Sequence, residues 1–200
     1  MKPAEIIIGI TGGIAAYKTA MLVSRLVQDG HGVTAVMTPS AHQFLGPATV
    51  TALTGRPVYS GIFEGQDRHP LGPHIEIARN ADLLCIAPAT ADFLGKTANG
   101  LSDSLLSTLY LCFRGPVLMA PAMNCEMWEK AAVQRNIQTL QQDGVQMIGP
   151  NEGWLSAGRR VPDGCQNLMK STRPFNPDSK LRVNAFRPTR VTKGGILPNG

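Results

Sequence analysis

The chain contains no Cys-x-x-Cys pair: its four cysteines, Cys85, Cys112, Cys125 and Cys165, are scattered through 200 residues. Scattered thiols argue against a disulfide framework and point to a reduced compartment. No cleavable apolar leader precedes the first apolar run, so the sequence reads as cytoplasmic. Every apolar run is broken by glycine, proline or charge well short of the ~20 residues that cross a bilayer, which leaves no membrane segment. A folded basic surface is also missing. The formal net charge is +5, yet residues 1–158 hold 10 Lys and Arg against 12 Asp and Glu, while residues 159–200 hold 9 against 2. A nucleic-acid groove is therefore unsupported, and loose attraction of the last segment to polyanions is all the charge implies. The length suits one domain that buries a core without disulfides or metal.

What is present is a regular alternation. The β-branched run EIIIGIT (Glu5 to Thr11) ends in Gly12-Gly13, as a buried strand entering a tight turn does. From Ile14 to Gln28, Ala16, Ala20, Val23 and Val27 recur at helical spacing, and Gly30 closes the segment as a C-cap. HGVTAVMT (His31 to Thr38) reads as the second strand. Then follow a strand from Ala81 to Ala87, a helix from Ala91 to Leu111, a strand from Pro116 to Ala120, a helix from Cys125 to Gln142 and a strand from Val145 to Ile148. Strands alternating with helices predict an α/β sandwich, a parallel sheet covered on both faces, with ligands at the carboxyl ends of the strands.

Three loops fall at those ends: Thr11 to Ile14, Ala87 to Ala91 and Ala120 to Asn124. Gly12 and Gly13 allow close approach of backbone to a ligand, and the following helix offers its N-terminal N–H groups to a phosphate. The dinucleotide pattern GxGxxG is absent, because GITGGIAA spaces its glycines differently. Hydroxyls at Thr38 and Thr90 could serve a phosphate or act as ordinary N-caps.

GITGGIAAYK (Gly9 to Lys18), HIEIARNADL (His74 to Leu83), APATADFLGKTANGLSDSLLST (Ala87 to Thr108) and PAMNCEMW (Pro121 to Trp128) together resemble the homo-oligomeric flavin-containing cysteine decarboxylases. The resemblance covers Glu5 to Ser156 and is closest to the phosphopantothenoylcysteine decarboxylase branch, which serves coenzyme A biosynthesis. It implies a flavodoxin-like, Rossmann-type fold that binds FMN, assembled as trimers or higher multiples with each flavin near a subunit interface. By the same resemblance Gly12, Gly13 and Ile14 match the first flavin loop, Thr38 and Ala41 the second, and Pro88, Ala89 and Thr90 the third. Asp92 stands where the family more often has Asn. His74 matches the active-site histidine beside the flavin, and Arg79 an arginine suited to a substrate phosphate or carboxylate. Asn124 matches the residue that holds the substrate's cysteine moiety, with Met127 beside it; Asn124 is also well placed to cap a helix.

The reaction implied is decarboxylation of 4′-phospho-N-pantothenoylcysteine to 4′-phosphopantetheine. In the family, FMN oxidises the cysteine side chain to a thioaldehyde, carbon dioxide leaves, and the enethiol is reduced with a flap cysteine as proton donor. Here that cysteine is replaced by Ala157, within GWLSAGRR, and the family's GRM turn is missing. One base restores it. Codons for SAGRRVPDGCQNLMK can be chosen so that a single T inserted after the Ser156 codon yields SCRASGAGRMPEPDE. The sequence therefore predicts an FMN-binding decarboxylase domain at 1–158, followed by a frameshifted, disordered tail at 159–200 with no apolar period. Two alternatives stay open: a flavin prenyltransferase-like relative, or a non-catalytic flavoprotein subunit of a mixed oligomer.

Overall fold

The computed structural model describes residues 3–62 and 72–149 in full, and the backbone of 151–154 and 160–163. Ala157 and residues 164–200, on which the flap and tail expectations fall, lie outside the described residues. Five strands form one parallel sheet in the order β2-β1-β3-β4-β5: β1 Glu5–Ile10, β2 Gly32–Met37, β3 Leu83–Ala89, β4 Val117–Pro121 and β5 Gln146–Met147. This is the flavodoxin-like order.

The two faces of β1 show how sequence sets the layers. Ile6, Ile8 and Ile10 pack with Ala16, Leu22, Val23 and Leu26 of α1 (Ala16–Gln28) and with Val50 of α2 (Pro47–Thr54). Ile7 faces the other side, among Ile77 of α3 (Pro73–Arg79), Phe93 and Leu94 of α4 (Ala91–Ala98), Leu105, Leu106 and Leu109 of α5 (Leu105–Cys112), and Ile137 and Leu140 of α7 (Ala131–Gln142). Each such fully buried side chain contributes about 1.5–3 kcal/mol relative to exposure. Gly9 has no room for a side chain, because a Cβ there would lie 2.6 Å from Ile86 Cδ1 and 2.7 Å from Leu106 Cδ1. Beyond β2, Tyr59 pairs with the strand's free edge: its N–H donates to the Ala35 carbonyl at 3.0 Å and its carbonyl accepts from Met37 N at 2.8 Å.

Several boundaries differ from the sequence expectation. The long helix over Ala91 to Leu111 is two helices, because Gly100 takes φ +66° and Ser104 then starts α5 with a reciprocal capping box to Ser107. Likewise the helix over Cys125 to Gln142 breaks after α6 (Cys125–Trp128), where Lys130 is extended and Gln134 Nε2 donates to the freed Trp128 carbonyl at 2.6 Å. Strand β3 runs two residues further than predicted, through the cis Ala87–Pro88 bond, so Pro88 and Ala89 end a strand rather than open a loop. The sequence reading placed no element on α2, on α3 or on the 3-10 turn Pro39–Gln43. Finally, β6 (Asn151–Trp154) pairs antiparallel with β7 (Arg160–Asp163), which carries regular structure past residue 158. β7 approaches α6 and β4, the elements that frame Asn124.

Candidate active site

The chain turns from β1 to β2 on one side and returns to β3 on the other, so the carboxyl ends of β1 and β3 bound the crevice where such sheets bind ligands. Thr11 organises this point. Its hydroxyl donates to the Pro88 carbonyl at 2.6 Å and accepts from Thr90 N at 3.1 Å. Thr19 Oγ1 donates to the Ala87 carbonyl at 2.7 Å, and Ala122 N donates to the Ala89 carbonyl at 3.1 Å. Thr38 N donates to the Ile10 carbonyl at 3.0 Å. The ends of β1, β2, β3 and β4 are thus joined by hydrogen bonds that satisfy their last backbone groups.

Within this frame the predicted cofactor residues come together. A Cβ on Gly12 would collide with the side chain and the carbonyl carbon of Ser40, whereas one on Gly13 would meet Thr90 Cγ2 at 3.5 Å, an ordinary contact. Thr90 takes the N-cap role offered for it: its hydroxyl caps α4 by accepting from Phe93 N at 3.4 Å, while its N–H donates to Thr11 Oγ1. Thr38 makes no side-chain cap and instead shares a 3.1 Å hydrogen bond with Ser40 Oγ. Ala41 is fully buried and supplies packing. Ile14 is 51% exposed at the rim, just before α1.

Four further predicted residues are carried by α3 and by α6 with the turn before it. His74 sits in the first turn of α3, half-buried, and its Nδ1 is buried with no hydrogen-bond partner among the described residues. Arg79 is exposed in the last turn of the same helix, with no ion pair among the described residues. Asn124 caps α6, its Oδ1 accepting from Met127 N at 2.9 Å, and Met127 is exposed. The Asn124 loop joins the crevice through Ala122, but no hydrogen bond among the described residues ties His74 or Arg79 to it.

Asp92 pairs with Lys96 at 3.3 Å, and Lys96 pairs with Asp103 at 2.9 Å. Lys96 holds the Asp103 carboxyl below the usual range, chiefly through that hydrogen bond. Lys96 therefore ties α4 to the loop before α5, and Asp92 is its i,i+4 partner on the same helix. Cys85 lies in mid-sheet, where burial pushes its thiol up to about 12 and denies it any role as a nucleophile. Sequence reasoning missed Thr11 as the hub and Ser40 altogether; the signal available was a hydroxyl residue directly after β1 and two more at Thr38 and Ser40, directly after β2.

The sequence model of the family described as Flavoprotein matches residues 1–173. The chain belongs to the flavoprotein family. Two curated relatives are named coenzyme A biosynthesis bifunctional protein CoaBC. That of Bacillus subtilis is 45% identical, and that of Haemophilus influenzae 42%, each over 154 residues that make up 77% of this chain. This flavoprotein spans 38% of the length of each of them. Among solved structures, the FMN-dependent cysteine decarboxylase SpaF is similar with TM-score 0.73 and 29% identity, over 84% of this chain and 96% of that one. A mutant of PPC decarboxylase, complexed with pantothenoylaminoethenethiol, gives TM-score 0.71 and 28% identity over the same shares. The flavoprotein fold of this chain is thus flavodoxin-like, as the strand order shows.

Proposed function

We propose that this chain is the decarboxylase unit of coenzyme A biosynthesis, binding FMN and acting on 4′-phospho-N-pantothenoylcysteine. The observation that carries the reading is the crevice around Gly12: loops from β1, β2 and β3 converge on a turn that has no space for a Cβ and opens at the N-terminus of α1. Relatives at 45% and 42% identity named for coenzyme A biosynthesis, and FMN-dependent cysteine decarboxylases among similar structures, support it.

Gly12, Gly13, Ile14, Thr38, Ala41, Pro88, Ala89 and Thr90 would hold FMN, through backbone N–H groups, two threonine hydroxyls and close packing. When bound, FMN supplies the two-electron oxidation of the substrate thiol carbon and its later reversal. The protein's own part is binding and proton transfer. Asn124 spends its Oδ1 on the helix cap, which leaves its two amide N–H donors for a substrate carboxylate. Arg79 offers an exposed guanidinium fork to a phosphate or carboxylate. His74 Nδ1, buried and unsatisfied among the described residues, is a group that a bound ligand would complete.

The crevice is open at Ile14, and Tyr17 and Met21 continue the exposed apolar stripe along α1 at helical spacing. A second copy of the chain covering this stripe would complete the wall and bring a partner's helix to the site, so the reading includes a homotrimer or higher homo-oligomer. The free thiols at Cys85, Cys112 and Cys125 suit a cytoplasmic setting. Ala157 has no proton to give, and a one-base deletion at its codon accounts both for the loss of the flap cysteine and for the basic composition of 159–200. The same residue is what favours a second reading, a non-catalytic flavin-bound subunit.

Anaerobic mixing of the purified protein with the phosphopantothenoyl substrate distinguishes the two. A catalytic unit without its acid should bleach the bound flavin, release CO₂ once and stop. A flavin that keeps its colour, with no CO₂ evolved, supports the non-catalytic subunit, and a colourless, folded protein rejects both.

A further inference from the structure

We infer that Gln134 is a positioning residue for the turn that carries Asn124: through the backbone of Trp128 it fixes where the Asn124 amide stands. This role rests on the reading above of Asn124 as the group that holds the substrate carboxylate. The turn cannot hold itself. Helix α6 has four residues, none of them buried, and a single isolated helical turn is unfavourable because ordering its backbone outweighs its few hydrogen bonds. Those bonds are local. The Met127 amide donates to Asn124 Oδ1 at 2.9 Å, and the amides of Trp128 and Glu129 donate to the carbonyls of Asn124 and Cys125 at 3.0 and 2.9 Å.

Gln134 supplies the missing anchor. Lys130 is extended (φ −63°, ψ 129°), so the helix that would have carried a backbone amide to the Trp128 carbonyl is broken there. Gln134 Nε2 takes that place, donating to the carbonyl at 2.6 Å from a partly buried position. Its own helix is held independently, because Val133, Ile137 and Leu140 of α7 are buried in the core. α7 also packs on α4, so closely that a Cβ on Gly95 would lie 3.4 Å from Asn136 Nδ2. Since α4 starts at the Thr90 cap, the Gln134 bond joins the Asn124 turn to the same body that carries Thr90. With Asn124 Oδ1 committed to its own cap, the direction of the two amide N–H donors follows the orientation of this turn.

The test compares the purified, FMN-loaded full-length protein with its Gln134→Met variant, which keeps the length of the side chain and removes the donor. The ligand is the serine analogue of the substrate, 4′-phospho-N-pantothenoylserine, which keeps the carboxylate and lacks the thiol that FMN would oxidise. Affinity for the analogue should fall about fivefold, the size of one lost hydrogen bond, while FMN affinity stays unchanged. Without ligand, hydrogen exchange of the Met127 and Trp128 amides should quicken by about the same factor, with the amides of β1 and β3 unaltered. Gln134→Glu, which faces a carbonyl with a charged acceptor, should lose more than Gln134→Met. Unchanged analogue affinity would mean that Trp128 needs no anchor. Equal losses for FMN and the analogue, or faster exchange throughout β1 and β3, would mean that Gln134 only supports the fold. Either result overturns the inference while leaving the substrate reading intact. Failure of the unsubstituted protein to bind the analogue would overturn both together.

Discussion

Thr11 and Thr90, 79 positions apart in the chain, meet at a 3.1 Å hydrogen bond in which the Thr90 amide donates to the Thr11 hydroxyl, and that hydroxyl in turn donates to Pro88. One buried side chain thus satisfies two backbone groups of the third loop from the first. Thr11→Val, nearly the same shape, should leave both unpaired and destabilise the fold by about 1–3 kcal/mol. Denaturant unfolding of the flavin-free protein measures this. A variant as stable as the parent would show that water replaces the hydroxyl.

The two glycines after β1 should respond differently. Gly12→Ala forces a methyl onto Ser40 and its backbone, so flavin binding should be lost even where the fold survives. Gly13→Ala meets only ordinary contacts and should retain it. Absorbance of the purified variants near the flavin bands decides, and equal retention by both would remove Gly12 from the site.

Thiol labelling gives a map of the sheet. Cys112 is exposed and should react with an alkylating reagent at once, whereas Cys85, fully buried with its thiol pushed up to about 12, should react only on unfolding. Peptide mapping after a short exposure reads both. Early labelling of Cys85 would place it outside the core.

Inserting one base at the Ala157 codon, which reverses the deletion proposed above, should return a cysteine and the glycine-rich turn, and with them sustained CO₂ release. Ala157→Cys in the present frame should not suffice, since the turn that closes over the substrate stays absent. Steady turnover by the chain as it stands would show that the flap cysteine is dispensable, and resequencing around this codon tests the deletion itself.

Much of the architecture was legible because long parallel strands, buried on both faces, leave unmistakable apolar runs such as Glu5–Ile10 and Leu83–Ala89. Helix breaks were not. The apolar spacing of Ala91 to Leu111 survives the turn at Gly100, so only the capping pair Ser104 and Ser107 marks the restart, and α2 (PATVTALT) has too weak a period to announce itself. The same limit applies to the site. Glycines and motif positions were readable one by one, but the packing of Ser40 on Gly12 and the hub at Thr11 join residues far apart in the chain, and local patterns do not encode such pairs. His74 and Arg79 were legible as motif residues, while the helix α3 that carries both was not.

The pairing of Tyr59 with β2 also constrains how copies of this protein can associate. Its backbone occupies the donors and acceptors at Ala35 and Met37 that another chain would need in order to extend the sheet on that side. Strand addition at those two positions is thereby closed to a second chain. In the oligomer proposed above, contacts between copies would then rest on surface side chains, whose substitution leaves every strand register untouched.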